Sequence, residues 1–251
     1  MSARTYALEA QSELLKLLRL PAFLLPTLGF PMMFYALFGL VLPTGKGNLD
    51  MSSYLLATYG AFGVIGIALF SLGIGVAVER GQGWLAVKRA SPMPLSAYFF
   101  GKYAMTVAFS AVLVMLLSAM AVVWGNVRLD ITQWITLFTV LVFGAIPFCA
   151  AGIAVAYLVG PNSAPAVVNI VYLPMAFLSG LFIPAEMLPD VLQRVAQFLP
   201  PYHLARLALA AIGVEPLSAI WIHVAALLGF LLLFTALALF GYRRDDGRTY
   251  G

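Results

Sequence analysis

The sequence predicts an all-α integral membrane protein with six transmembrane helices, an N-terminal amphipathic interfacial helix, and an outer re-entrant helical hairpin between helices five and six. Three observations predict this fold class. Of the 251 residues, 63% are hydrophobic and 10% are charged, with a mean hydropathy of +0.98, whereas soluble domains carry about 25% charged residues. Charge-free stretches long enough to cross a bilayer recur along the chain. Glycine, proline and aromatic residues separate them.

The predicted spans follow from the charge-free stretches, because a charged side chain at the bilayer centre costs at least a few kcal/mol. The uncharged run 131–185 is too long for one helix, and Gly160-Pro161-Asn162-Ser163 supplies residues that break helices. The predicted spans are 22–42, 54–78, 98–124, 134–159, 164–182 and 220–241. We expect residues 1–251 to form a single transmembrane domain.

The distribution of basic residues predicts the orientation of these spans. Ten lysines and arginines lie on the side that holds both termini, and four lie on the other side. Because cytoplasmic loops carry the excess of positive charge, both termini are expected in the cytoplasm.

Residues 1–20 have a helical pattern with two distinct faces. Leucines gather on one face, and Glu9, Glu13, Lys16 and Arg19 gather on the other. The pattern predicts a helix lying along the cytoplasmic leaflet, with Pro21 separating it from the first span. A soluble cap on the helical bundle is the alternative.

The segment 79–94 between the second and third spans is short and ends at prolines. Trp84–Ala90 can form two helical turns with basic residues at the C-terminal end, where the helix dipole favours them. The spacing fits two interpretations equally: a docking element for another protein, or a basic loop that only fixes topology.

The outer segment 183–215 is strongly apolar but contains no stretch long enough to span. Pro184 can open a helix whose apolar residues recur at helical spacing from Leu188 to Leu199, and Pro200-Pro201 ends it. A second short helix follows and is expected to stop at Gly213. Such a pair predicts a re-entrant or interfacial hairpin.

Several kinds of chemistry are missing from the sequence. The centres of the predicted spans carry no ionisable residue, which argues against ion-coupled transport. An intramembrane enzyme such as a lipid transferase is disfavoured because the sequence indicates no cluster of His, Asp or Glu at either membrane surface. No glycine-rich run precedes a lysine at the spacing that binds nucleotide phosphates. Cys149 is the single cysteine, and His203 and His223 have no partner at metal-ligand spacing. We therefore expect no catalytic residue, metal, bound cofactor or nucleic-acid partner.

Two groups of residues resemble a known family, the permease subunits of type-2 ABC transporters, which are mostly bacterial exporters. The first group, Glu79-Arg80, Ser91-Pro92 and Gly101-Lys102, is similar to the family's inner loop, although Gly83-Trp84 replaces its usual Gly-Thr pair. The second group resembles the outer hairpin; it consists of Phe177–Pro184 followed by Leu188-Pro189, Leu199-Pro200-Pro201 and Arg206. With the N-terminal helix and six spans, the resemblance covers nearly the whole chain.

The resemblance implies a transport subunit without enzymatic activity of its own. A separate cytoplasmic ATP-binding cassette subunit would hold ATP and Mg²⁺, and a second permease copy, as a homodimer or a heterodimer, would complete the pathway. The location would be the bacterial cytoplasmic membrane, with lipid contacts, and the exported substrate an amphipathic, lipid-like, drug or glycan molecule. The alternative is a gradient-driven or passive membrane transporter without an ATPase partner.

The resemblance also implies roles for particular residues. The expected ATPase-coupling residues are Glu79, Arg80, Trp84, Leu85, Lys88 and Arg89. The pathway candidates, chosen because aromatic, Met and amide side chains can contact an amphipathic substrate, are Phe34, Tyr59, Phe62, Phe70, Asn169, Tyr172, Met175 and Phe177. Ordinary helix packing is the alternative for each. The expected hairpin residues are Gly180, Pro184, Pro189, Pro200, His203 and Arg206.

Overall fold

The computed structural model describes residues 3–41, 51–91, 93–216, 218 and 220–245, and this part of the chain is helical without any strand. The ends of the predicted interfacial helix at 1–2 and of the first predicted span at 42 lie outside the described residues. So do Pro92 of the Ser-Pro pair and the side chain of Arg89.

The helices vary from seven to 29 residues in length. They are α1 (Ala3–Leu18), α2 (Pro21–Phe34), α3 (Met51–Ala68), α4 (Gly75–Gly81), α5 (Trp84–Ala90), α6 (Leu95–Val123), α7 (Ile131–Gly144), α8 (Ile146–Leu158), α9 (Ala164–Leu178), α10 (Asp190–Ala196), α11 (Pro200–Ala211) and α12 (Ile220–Asp245). A π-helical segment, Tyr35–Val41, extends α2, and a second, Leu69–Ile74, joins α3 to α4. A 3₁₀ turn, Ala185–Met187, precedes α10.

Among the described residues, five helical stretches are long and apolar enough to cross a membrane. They are Leu24–Val41, Met51–Gly81, Leu95–Val123, Ile131–Leu158 and Ile220–Asp245. The protein is therefore a multi-pass, all-helical membrane protein.

The predicted fifth span, 164–182, is shorter in the structure. Helix α9 has 15 residues, about 22 Å at 1.5 Å per residue, whereas the hydrocarbon core is about 30 Å thick. It stops at Leu178 because the chain reverses at Gly180, whose φ is +78° and where a Cβ would lie 2.9 Å from that of Ala185. A sixth membrane crossing stays a prediction.

Helix α3 lies at the centre of the bundle, and residues Ser53–Ala68 are all buried. Glycines let its neighbours approach closely: a Cβ on Gly63 would lie 2.2 Å from Leu113 of α6, and one on Gly60 would lie 2.6 Å from Leu141 of α7. Along the π-helical continuation, Gly152 of α8 would bring a Cβ to 3.0 Å from the backbone nitrogen of Gly73. Small residues therefore set the packing, as is common in membrane helices.

Candidate functional site: a charged cluster beside two cavities

Six charged side chains from four helices meet at the end of the bundle that carries α1 and α5, called here the α1 end. We call them the charged cluster; they are Glu9, Glu13, Lys16, Glu79, Lys88 and Lys102.

Lys102 of α6 is the centre of the charged cluster, with a side chain only 3% exposed. Its Nζ donates to Glu13 Oε2 at 2.6 Å and to Glu79 Oε1 at 2.8 Å. Tyr98 donates its hydroxyl proton to the other oxygen of Glu79 at 2.6 Å. Buried charges are tolerated only when they are paired and hydrogen-bonded. The three helices α1, α4 and α6 are thus joined at one buried ammonium.

The remaining lysines join α1 to α4 and α5. Lys16 forms an ion pair with Glu79, and Lys88 of α5 donates to Glu9. Lys88 also lies 3.7 Å from Glu13 and 4.6 Å from the centre of the Tyr98 ring. Cation–π contact adds to the ionic attraction at this position.

The leucine face of α1 is exposed, as an interfacial helix requires, but part of its polar face lies inside the bundle. Glu13, expected on the polar face of an interfacial helix, is 3% exposed, while Leu8, Leu15 and Leu18 are exposed. The reason is electrostatic: lysines of α5 and α6 attract the glutamates of α1 into the bundle. The signal that could have revealed this was Lys102 itself, a lysine inside the predicted span 98–124.

The close approach of α1 to α6 also requires Gly101. A Cβ at this position would lie 3.0 Å from Glu9 Cγ and 3.3 Å from the Glu9 backbone carbonyl. The Gly101-Lys102 pair therefore has a physical explanation. The glycine lets α1 pack closely against α6, and the lysine binds the carboxylate of Glu13 on α1.

The positive charges of the cluster act on Lys16. Burial first, and then the charges of Lys102 and Lys88, lower the pKa of Lys16 to about 8, although Glu13 and Glu9 act in the opposite direction. Burial is therefore the main reason that this ammonium loses its proton more readily than a lysine in water.

Arg80, the neighbour of Glu79, has separate partners. Its guanidinium donates to the backbone carbonyls of Tyr157 at 3.1 Å and Val159 at 2.7 Å, and it lies 3.6 Å from Asp245. A cation suits the carbonyl groups at a helix C-terminus. Arg80 thus fixes the end of α4 to the ends of α8 and α12.

The expected coupling residues divide into buried and exposed groups. Glu79, Arg80 and Leu85 are buried and contact this chain's own helices, and Lys88 is part-buried in the charged cluster. Trp84 is 55% exposed, and Val87, which the resemblance did not single out, is also exposed. Gly83 adopts φ +78° directly before α5. The turn that precedes Trp84 therefore requires glycine, which is the residue that Gly83-Trp84 shares with the usual Gly-Thr pair.

Six of the pathway candidates form one aromatic cluster between α2, α3 and α9. Phe62 stacks on Tyr172 with ring centroids 5.1 Å apart, and Phe182, which sequence reasoning missed, lies 4.9 Å from Phe62. Ring contacts extend the cluster to Phe34, Tyr59, Phe70 and Phe177. Tyr172 also donates to the backbone carbonyl of Phe62.

One cavity lies beside the aromatic cluster, and a second lies beside the charged cluster. The aromatic cavity, of about 270 Å³, is lined by the candidates Phe62, Phe70, Asn169 and Tyr172 together with residues of α2. Asn169 donates to the carbonyl of Pro165 in its own helix. Met175 is part-buried on α9 and lies outside this lining.

The inner cavity, of about 650 Å³, opens between α1, α4, α5 and α6. Its polar wall contains Glu13, Lys16, Glu79, Lys88 and Lys102; its apolar wall includes Leu17, Leu20, Phe70, Ile74 and Met105. Phe70 and Ile74 line both cavities.

The hairpin residues lie at the opposite end of the bundle. Arg206 of α11 donates to Glu186 at 2.6 Å and to Glu215, and it lies 5.0 Å from the centre of the Tyr202 ring. Burial alone would raise the pKa of Glu186, but hydrogen bonds from its own backbone and from Arg206 lower it. Arg206 thus holds together the two halves of the hairpin.

The helical bounds of the hairpin differ from the expected ones. The predicted helix from Pro184 is broken at Leu188, because Pro189 has no N–H to donate, and α10 begins only at Asp190. The expected second helix is α11; it begins at Pro200 itself, ends at Ala211, two residues before the expected stop at Gly213, and is buried on nearly all sides. Apolar residues of the first half, such as Val191 and Phe198, are exposed. Entry of the hairpin into the membrane stays a prediction.

The structure brings His203 and His223 together, which the sequence spacing did not indicate. Their Nδ1 atoms are 2.9 Å apart, so one ring donates to the other. Burial and the adjacent His223 lower the pKa of His203.

Comparison with known proteins identifies a family for this chain. A sequence profile described as "ABC-2 type transporter" matches residues 7–212. A curated relative from Bacillus subtilis (strain 168), named "Putative transport permease YvfS", is 29% identical over 241 residues, covering 94% of this chain and 96% of the relative. The profile spans α1 to α11, which include the charged cluster and the aromatic cavity. The chain belongs to the ABC-2 type transporter family.

Proposed function

We propose that the chain is the membrane-spanning permease subunit of an ATP-driven exporter in the bacterial cytoplasmic membrane. Both termini lie in the cytoplasm. The energy comes from a separate ATP-binding cassette subunit that holds ATP and Mg²⁺, and two permease copies, identical or closely related, form the pathway between them. The family membership and the transport permease among its relatives support this proposal.

The observation that carries the proposal is the connection between the charged cluster and the exposed side chains of α5. Trp84 and Val87 are exposed, apolar and adjacent to a helix fixed at Lys88. Exposed aromatic residues on a fixed element are typical of anchors in protein interfaces. A force on α5 is transmitted through Lys88 to α1, and through Lys102 and Glu79 to α4 and α6.

The same connection leads from the coupling loop to the pathway. The π-helical segment Leu69–Ile74 continues α4 and carries Phe70, which lines the aromatic cavity. A displacement of α4 therefore moves a side chain of the proposed pathway. The aromatic cluster binds an amphipathic substrate by burying its apolar surface.

The first test is co-purification of the tagged chain from its native membrane. We expect an ATP-binding subunit in equal number and ATPase activity in the purified complex. Recovery of the chain alone, without ATPase activity, would contradict the proposal and favour a passive or gradient-driven transporter.

The second test uses exposed residues, because a change at Lys88 also breaks an ion pair inside the chain. Trp84→Asp and Val87→Asp should each lower recovery of the ATPase roughly tenfold or more, the loss typical of an interface anchor. Met187→Asp places the same charge at an exposed apolar position of the opposite end and serves as the control. Equal recovery with all three variants would show that α5 is not the docking element.

A further inference from the structure

The inner cavity combines two different walls in one volume. Its polar wall carries three ammonium groups and two carboxylates, and the third carboxylate of the charged cluster, Glu9, is paired with Lys88. Phe70 and Ile74 of its apolar wall also line the aromatic cavity. A volume of about 650 Å³ is within the range of sites that hold drug-sized ligands.

We propose that the inner cavity binds an amphiphile with one anionic headgroup, held by Lys16, and an apolar chain directed along Phe70 and Ile74. This inference rests on the proposed function, because it names the class of molecule that enters the pathway.

Lys16 is suited to hold the headgroup because it is the most accessible of the three lysines. Its side chain is 47% exposed, compared with 23% for Lys88 and 3% for Lys102. An ammonium has three donors, so Lys16 can bind Glu79 and an anion together. Lys102 keeps its two carboxylates throughout, and the junction of α1, α4 and α6 stays intact.

The exposure of the charged groups favours an anion over a cation. The Lys16 ammonium is accessible, whereas the side chains of Glu13 and Glu79 are only 4% and 8% exposed and already bind lysines. Burial is the main cause that lowers the pKa of Lys16 to about 8; Lys102 and Lys88 add to it, and Glu13 and Glu9 oppose it. A cationic headgroup would be repelled by this ammonium, whereas an anion pairs with it and stabilises it. A small free anion would leave the apolar wall without a partner.

The test measures binding to the purified full chain in lipid nanodiscs. Trp84 lines the inner cavity, and replacing Trp124, Trp134 and Trp221 with Phe leaves it as the only tryptophan. The probe is 11-bromoundecane-1-sulfonate, whose bromine quenches tryptophan on contact and whose charge does not change with pH. A variant that keeps only Trp124, at the other end of α6, reports quenching from the surrounding lipid.

We expect saturable quenching of Trp84 that unbrominated undecane-1-sulfonate reverses and sodium sulfate does not. The matched probe 11-bromoundecyltrimethylammonium should give no saturable component. Lys16→Gln should weaken sulfonate binding roughly tenfold, as expected for the loss of one charged hydrogen bond. Arg19→Gln, at an exposed residue outside the cavity lining, should leave it unchanged.

The pH dependence gives an independent measurement. Binding should weaken between pH 7 and pH 9, because Lys16 loses its proton near pH 8. Lys16→Arg keeps the charge and should bind equally at both values. The proposal is overturned if the ammonium probe binds as tightly, if sulfate competes, or if Lys16→Gln binds normally. Because no ATPase is present, failure to find an ATPase partner would refute the proposed function without changing this result.

Discussion

Replacement of Lys102 with methionine tests the charged cluster most directly. Methionine keeps the length and apolar stem of the side chain but removes the ammonium that Glu13 and Glu79 share. Two buried carboxylates then lose a partner, although Glu79 keeps Lys16 and Tyr98, and Glu13 keeps only Lys88 at 3.7 Å. Breaking a buried ion pair by removing one partner costs about 3 to 5 kcal/mol.

The cost should appear first in α1, which is held to the bundle through these contacts. Hydrogen exchange of the backbone amides in Ala3–Leu18, measured on the protein in nanodiscs, reports the opening of this helix. A loss of about 3 kcal/mol corresponds to a roughly hundredfold fall in protection. Amides of the buried helix α3 should change far less.

A double variant separates the ion pair from other effects of the substitution. Glu13→Gln with Lys102→Met removes the orphaned carboxylate, so the two losses should be smaller together than their sum, by at least about 0.5 kcal/mol. Arg19→Met deletes a positive charge at the exposed end of the same helix and should change α1 protection by less than about 0.5 kcal/mol. Equal loss of protection in Arg19→Met and Lys102→Met would refute the reasoning.

Three further predictions concern the same contacts and the opposite end of the bundle. Gly101→Val should loosen α1 as measured by hydrogen exchange, because its side chain meets Glu9, whereas Gly29→Ala, with no neighbour within 4 Å, should not. Attachment of α1 should strengthen as the pH rises from about 8 to 10.5. In this window Lys16 binds fewer protons when α1 is attached than when it is detached, because attachment lowers its pKa from 10.5 to about 8. Subtilisin digestion of α1 should therefore slow as the pH rises, and Lys16→Met should abolish the trend. Arg206→Met should speed proteolysis within 183–199 several-fold, since Glu186 and Glu215 lose their shared partner; an unchanged rate would show that these ion pairs do not hold the hairpin.

The parts of the fold that depend on composition could be predicted from the sequence. Stretches with little or no charge placed five of the spans, because the cost of a charge in lipid acts on each helix separately. The end of α9 could not be predicted in this way. It depends on the positive φ of Gly180 and its contact with Ala185, which form only when the chain reverses.

The candidate site shows the same division. Aromatic residues chosen as pathway candidates do meet, since large apolar side chains on neighbouring central helices tend to cluster. The charged cluster was missed because its residues on α1 are 63 to 89 residues from their partners in the chain. A helical wheel of α1 shows which residues share a face, but it does not show that Lys102 of α6 contacts Glu13. The function of each residue stays a prediction.

The π-helical segment Leu69–Ile74 changes the phase of the long helix that contains it. A π turn accommodates one residue more than an α turn, and one residue corresponds to about 100° of rotation. The faces of α3 and α4 are therefore offset, although the axis is continuous. In one continuous helix, α3 is therefore buried among apolar neighbours while the α4 part places Glu79 against Lys102. Arg80, the next residue, contacts the ends of α8 and α12. A single helix thus has apolar partners along α3 and charged partners along α4, without a break that would expose its backbone to lipid.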